Sequence, residues 1–228
     1  MSLRVPKVLL FDAGNTLVFL DHDALASSAH DIAGLGGDAL RRAEPLAKKS
    51  YEAALSAGMS HEDGWQLYIR TIFEAAGVPF TDAAEAARAA RVVHDDFNLW
   101  RKMPPELPVA LARGLNAGLR YGIVSNSEGR LTELLDRVGI LPFFEVVVDS
   151  ALEGVRKPDP EIFRRALSRM QASAAETMYA GDIPNVDVDG ARGAGIDAVL
   201  IDTLGHYPHY SGAPRFASVE ALIAELCP

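Results

Sequence analysis

Five short runs of uninterrupted apolar residues constrain the fold of this chain more than any other feature. They are Val8-Leu9-Leu10-Phe11, Tyr121-Gly122-Ile123-Val124, Val146-Val147-Val148, Met178-Tyr179-Ala180 and Ala198-Val199-Leu200-Ile201. A strand with one wet face alternates apolar and polar residues. A continuous run suits a strand buried on both faces, as in a parallel sheet covered by helices. Helical patterns lie between most of the runs: Leu131, Leu134, Leu135 and Val138 lead to Gly139, and Ile162, Phe163, Ala166, Leu167 and Met170 follow Asp159-Pro160, an N-cap and first-turn pair. This alternation predicts an α/β fold with a doubly wound parallel sheet.

One interval breaks the alternation. From about Asp21 to Met103 the chain shows alanine-rich helical periodicity and no strand pattern, with helices predicted near 22–33, 38–57, 61–76 and 82–101. Gly34, Gly58, Gly77-Val78-Pro79 and Pro104-Pro105 punctuate them. About eighty residues between the first two strands are too many for a crossover helix, so residues 21–103 read as an inserted helical domain. The core then comprises 1–20 and 104–228. Leu40, Leu46, Ala47, Ala54 and Leu55 read as the interior of the insert, Trp65, Tyr68 and Trp100 as packing residues, and Gly36-Gly37 as a turn.

Composition removes several classes of function. With 49% hydrophobic and 23% charged residues the chain is an ordinary globular one rather than a disordered one. A formal net charge of −9 argues against nucleic acid as a partner. The single cysteine, Cys227, excludes a disulfide framework or a cysteine metal cluster. The longest apolar runs fall far short of the ~18 residues of a membrane span. Met1-Ser2-Leu3-Arg4 leads into no signal-peptide stretch, so the expected location is cytoplasmic. The oligomeric expectation is a monomer or homodimer.

The residues that close the runs are more informative than the runs themselves. The first run ends in Asp12, the second in Ser125-Asn126, the third in Asp149, the fourth in Gly181-Asp182 and the fifth in Asp202. In an open parallel sheet these positions share the carboxyl edge, where ligands bind at the topological switch point. A single aspartate there has an ordinary use as a cap for the next turn or helix. Carboxylates gathered at one edge would repel unless a hard cation joined them, and Mg²⁺ takes carboxylate oxygens.

These residues resemble the motifs of the haloacid dehalogenase-like hydrolase superfamily. Phe11-Asp12-Ala13-Gly14-Asn15-Thr16-Leu17 is similar to its first motif and Ile123-Val124-Ser125-Asn126-Ser127 to its second. Gly154-Val155-Arg156-Lys157-Pro158-Asp159-Pro160-Glu161-Ile162-Phe163 is similar to the third. Ala180-Gly181-Asp182, with Asp187 and then Gly190-Ala191, resembles the fourth. All four stand in the family's order, with a helical insert after the first, as in members that carry a C1 cap.

The resemblance implies a Rossmann-like core, a cap domain and a Mg²⁺-dependent phosphatase acting on a small phosphorylated substrate. Asp12 would be the nucleophile that forms an aspartyl-phosphate. Asp12, the Gly14 carbonyl and Asp182 would hold Mg²⁺, with Asp187 completing the site through water or by orienting a ligand. Ser125 and Asn126 would bind the phosphoryl group, and Lys157 would place a cation beside it, held in extended backbone by Pro158. Thr16 would support the loop.

Gly14 departs from the pattern. Phosphatases of the family usually carry there a second aspartate that protonates the leaving oxygen, work a glycine cannot do. Asp21, His22 and Asp23 are candidate substitutes. Otherwise the substrate has a leaving group good enough to need no acid, or turnover has been lost. Two further functions stay open beside the phosphatase: a metal-free 2-haloacid dehalogenase, against which the retained Asp182 speaks, and an idle phosphometabolite-binding protein. The remaining features have ordinary readings. Arg41-Arg42 reads as the polar face of a helix, although it could meet an anionic substrate. Lys48-Lys49 reads as a solvated face rather than the Schiff-base lysine of the family's phosphonate-hydrolysing branch, whose spacing from Asp12 it does not match. His206 with His209 reads as a surface loop.

Overall fold

Each of the five apolar runs is a strand. In chain order the strands are β1 (Val8–Phe11), β2 (Phe19–Leu20), β3 (Trp100–Lys102), β4 (Arg120–Ser125), β5 (Val146–Asp149), β6 (Thr177–Gly181), β7 (Asp197–Ile201) and β8 (Arg215–Phe216). The computed structural model describes residues 3–228. It divides into two units, one made of the chain up to Phe19 and from Met103 onward, the other of Leu20–Lys102.

The first unit is built on a six-stranded sheet of order β5-β4-β1-β6-β7-β8. Every pairing in it is parallel. Counted within this unit the order is that of a doubly wound sheet, growing outward from β1 in both directions, so the switch point lies at β1 and its neighbour β6. The unit's helices, numbered along the whole chain, are α6 (Leu107–Asn116), α7 (Leu131–Arg137), α8 (Ser150–Glu153), α9 (Pro160–Met170), α10 (Asp189–Gly193) and α11 (Val219–Leu226). Both sheet faces are covered, which explains why the strand sequences do not alternate. Leu10, Val124 and Tyr179 pack with Ile162, Phe163 and Ala166 of α9. Phe11 lies edge-on to Tyr121 and Phe144, with ring centroids 5.5 and 6.2 Å away. The sixth strand, β8, escapes the sequence pattern because it is only two residues long and half wet; the Leu200 and Asp202 amides, donating to Pro214 and Phe216, hold it.

The second unit contains α1 (His22–Ser28), α2 (His30–Ala33), α3 (Gly37–Ser56), α4 (His61–Ala75) and α5 (Phe80–Asp96). Its core joins Leu25, Leu40, Trp65, Ile69 and Phe73 to a stripe of Ala83, Ala86, Ala87 and Ala90 on α5. That spacing places the four alanines on one helix face, where small side chains let neighbours approach. Among the described residues no helix is long and apolar enough to cross a membrane.

Several expectations for this unit need correction. The interval is not strand-free: α5 ends at Asp96, and Trp100–Lys102 pairs with β2 in a two-stranded sheet. The helix expected over 22–33 breaks at Ala29 into α1 and α2. Gly36-Gly37 is not a turn but the N-cap and first residue of α3, and a Cβ on Gly37 would come within 3.0 Å of the Asp23 amide nitrogen. Leu46 is exposed, while Leu40 and Ala47 are buried. Lys48 is buried, 2% exposed, with its Nζ 4.0 Å from Glu52 Oε1, whereas Lys49 is on the surface. The doublet therefore does not form one solvated face: successive helix positions point about 100° apart, so adjacent lysines need not share an environment.

Candidate active site

The loop after β1 turns tightly on one carbonyl. The Asp12 amide extends the ladder to Ala180 of β6 (2.9 Å), and the amides of Thr16, Leu17 and Val18 all donate to Ala13 O. Asn15 takes the left-handed conformation the turn needs, at φ 56°, a region asparagine tolerates better than most residues. Asp12 is thereby held at the end of the central strand with its side chain buried.

Lys157 reaches Asp12 from another part of the chain. Its Nζ donates to Asp12 Oδ1 (2.6 Å), Asp187 Oδ1 (2.6 Å) and the Tyr179 hydroxyl (2.8 Å), using all three ammonium donors. Ser125 Oγ also donates to Asp12 Oδ1, at 2.9 Å. Both groups act on the same oxygen, which leaves Oδ2 for a ligand. The Lys157 backbone is clamped by Asn126, whose Oδ1 accepts from Lys157 N (2.8 Å) while its Nδ2 donates to Lys157 O (3.0 Å). Asp159 then caps α9 through the Glu161 amide (2.9 Å). Asn126 thus serves Lys157 with its side chain, a use that the phosphoryl-binding expectation did not contain.

The third carboxylate is fixed by a wide π-helical turn over Pro184–Val188. Asp187 Oδ2 accepts the amides of Asp182 (3.0 Å) and Ile183 (2.9 Å), while Oδ1 takes Lys157 and Tyr179. Gly181 is required beneath it, because a Cβ there would lie 2.6 Å from Asp187 Cβ. Carboxylate oxygens of Asp12, Asp182 and Asp187 lie within 4.8 Å of one another, and all three residues are buried.

The charges do not balance. Three buried acids cluster here, and the Lys157 ammonium bonds two of them. Burial raises Asp12 to about 7; Lys157 opposes this, and the charges of Asp187 and Asp182 add to it. Burial alone would lower Lys157, but Asp12 and Asp187 outweigh it and hold the ammonium above its ordinary range. A site with surplus buried negative charge and hard oxygen donors fits Mg²⁺. Asp12 and Asp182 suit direct ligation. Asp187, with both oxygens already taken by donors, suits a supporting place behind them.

Tyr179 is the site residue that sequence reasoning missed. It lay in plain view within an apolar strand run, and its signal was the phenol itself, since a fully buried tyrosine needs partners for its hydroxyl. The strand-end acids Asp149 and Asp202 go the other way. Asp149 accepts the amides of Gly129, Leu131 and Ala151. Asp202 accepts those of His206 and Tyr207 and the Arg215 guanidinium. Of the substitute acids considered for Gly14, Asp21 caps α1 at Ala24 and pairs with Arg101. Although burial raises its carboxyl, these donors hold it below the usual range. His22 is buried against Glu44 (2.9 Å), and Asp23 is exposed.

A buried carboxylate, a serine hydroxyl and a lysine at the switch point of a doubly wound sheet, with further acids on the adjacent strand, define a class of α/β hydrolase. The family model of the haloacid dehalogenase-like hydrolases matches residues 6–195, and the chain belongs to that family. It is 31% identical over 208 residues to haloacid dehalogenase-like hydrolase domain-containing protein 3 of Bos taurus, covering 86% of this chain and 81% of that protein. To a glyceraldehyde 3-phosphate phosphatase of Methanopyrus kandleri it is 30% identical over 201 residues, covering 86% and 83%. Its fold is also that of the hydrolase YfnB from Bacillus subtilis, a structure bound to magnesium, with TM-score 0.69, 21% identity and 98% and 99% of the two chains covered.

Proposed function

We propose that this hydrolase is a Mg²⁺-dependent phosphatase of a small phosphorylated metabolite, with Asp12 as nucleophile. The observation that carries the reading is the convergence of Ser125 Oγ and Lys157 Nζ on Asp12 Oδ1 beside Asp182 and Asp187. The M. kandleri relative, named for a phosphomonoester substrate, supports it. Asp12, the Gly14 carbonyl and Asp182 would hold Mg²⁺, backed by Asp187, and the ion would neutralise charge on the phosphoryl oxygens.

The rest falls to the chain. Lys157 keeps positive charge against Asp12 and the incoming phosphoryl group, and Ser125 turns its hydroxyl toward a phosphoryl oxygen. The Asp12 carboxylate attacks phosphorus, the bond to the leaving oxygen breaks, and water later hydrolyses the aspartyl-phosphate. With glycine at position 14, the leaving oxygen departs without an acid two residues from the nucleophile. Residues 21–103 serve as the cap domain of a core formed by 1–20 and 104–228, and carry substrate selection.

A phosphate-release screen over sugar, nucleotide and aryl phosphates, with Mg²⁺ or with chelator, tests the reading. Release that needs the metal is the expected result. Halide release from 2-haloacids without metal, and no phosphate release from any ester, would replace it with the dehalogenase.

A further inference from the structure

We propose that Tyr179 is a positioning residue of the reaction, whose hydroxyl holds the Lys157 ammonium between Asp12 and Asp187 and so directs its charge onto the nucleophile. The inference rests on the reading of Asp12 given above.

Tyr179 stands at the centre of β6, paired in register with Leu10 of β1 and Ala198 of β7. It is 0% exposed, and its ring packs edge-on against Phe163 with centroids 5.0 Å apart. Packing therefore fixes the ring, and the ring fixes where the oxygen lies. That oxygen is 2.8 Å from Lys157 Nζ, 2.9 Å from the Val124 carbonyl and 3.0 Å from Asp187 Oδ1. Burial, then the charges of Asp187 and Asp12, hold the phenol well above its ordinary range, so it remains a neutral donor.

The consequence is arithmetical. A lysine ammonium has three donors, and a buried one must spend all of them. Two acids compete for this ammonium, at the same 2.6 Å. The phenol oxygen takes the third donor and pins the nitrogen at a point equidistant from both acids. Its single proton can be given to Asp187, which weakens that acid's hold on the lysine in favour of Asp12, or to Val124, the residue before Ser125. In the first case the hydroxyl joins the lysine to the metal-side acid, and in the second it joins the lysine to the serine's strand.

Tyr179→Phe removes only the oxygen and keeps the ring against Phe163. Hydrolysis of p-nitrophenyl phosphate with Mg²⁺ is measured for the wild type, Tyr179→Phe, Lys157→Met and the double variant, each normalised to its folded fraction by circular dichroism. Single turnovers with enzyme in excess serve where steady-state rates are too slow. The expected loss for Tyr179→Phe is about 10–100-fold in kcat with KM little changed, the scale on which supporting hydrogen-bond partners act. In the Lys157→Met background the same substitution should cost less than about 2-fold, because its effect runs through the lysine. An equal loss in both backgrounds, as a packing role would give, overturns the proposal, and so does an unchanged kcat in the single variant. If Asp12→Asn is inactive in the same assay, such a result counts against Tyr179 alone; if Asp12→Asn turns over, the nucleophile reading fails with it.

Discussion

The centre of the sheet and its flanks carry the same sequence signature, an apolar run closed by an acid, and use it in opposite ways. At the flanks the acid is answered where it stands. Asp149 at the end of β5 is bonded by three backbone amides, and Asp202 after β7 by two amides and a guanidinium. At the centre Asp12, Asp182 and Asp187 cluster together, and the ammonium of Lys157 bonds two of them, Asp12 and Asp187. The flanking acids are complete and hold loops. The central ones retain surplus charge that only a ligand can answer. Position in the sheet order makes the difference, since connections leave β1 and β6 toward opposite halves of the sheet and open a space at that edge alone.

The sharpest break of this comparison is at its centre. Asp12→Asn should lower turnover by about 10⁴-fold or more, the scale of losing a covalent nucleophile, while the thermal midpoint falls little or rises. The thermal midpoint and phosphate release together check it. Activity near wild type would remove Asp12 from the reaction. Lys157→Met is next. Taking away this cation leaves three clustered buried acids without the positive charge that Asp12 and Asp187 bond, which should cost about 3–5 kcal/mol of stability in the metal-free protein. Because a cation bound only to the folded state stabilises it by mass action, added Mg²⁺ should return part of that loss. A midpoint that neither drops in chelator nor recovers with Mg²⁺ would mean the surplus charge at the centre is not felt.

The same contrast decides how much of the molecule is legible in its sequence. Continuous apolar runs announce buried parallel strands because burial on both faces leaves no polar position to disguise them. The two-residue β8 and the three-residue β3 have no such pattern to show. Asp12, Ser125, Lys157, Asp182 and Asp187 are legible as a set from motif order. The equally strand-terminal Asp149 and Asp202 cannot be separated from them until the register is known. Tyr179 is illegible for the opposite reason: its residue type matches the strand it stands in, and only the geometry gives its hydroxyl a purpose. Likewise Lys48 looks like a surface lysine because its charge argues for solvent, although it follows the inward-facing Ala47 on α3.

Gly14 offers a test of intermediate size. Without an acid at that position the leaving oxygen must depart carrying negative charge, so kcat/KM should fall steeply from aryl and acyl phosphates to alkyl phosphates. That quantity reports the first chemical step even when hydrolysis of the aspartyl-phosphate limits kcat. Gly14→Asp should help poor leaving groups most, by up to about 10²-fold. Equal kcat/KM across leaving groups would reveal a proton donor already at work. With Asp21 held ionised by Arg101 and Lys102, His22 would then be the first residue to replace.

The smallest effect is expected at the flank, from Asp202→Asn. Asparagine keeps one acceptor oxygen, enough for the His206 amide, but places an NH2 where Oδ2 accepted from the Tyr207 amide and loses the charge that faces Arg215, 2.8 Å away. The cost should be about 1 kcal/mol, read as a fall of about 2–4 °C in thermal midpoint for a chain of this size, with kcat/KM unchanged. Its pH dependence has a definite sign. Burial raises the Asp202 carboxyl, but the Arg215 guanidinium and the two amides together bring it below its ordinary 3.8. A carboxyl depressed in the folded state stabilises above its unfolded value, and that contribution is lost as pH falls through the folded one. The gap in midpoint between wild type and Asp202→Asn should therefore be constant from neutral pH down to about 5, then close below about 4. A gap that persists unchanged in acid would mean that Asp202 holds its loop by shape and hydrogen bonding alone. A fall in kcat/KM at neutral pH would mean that the acid after β7 belongs with the central cluster after all.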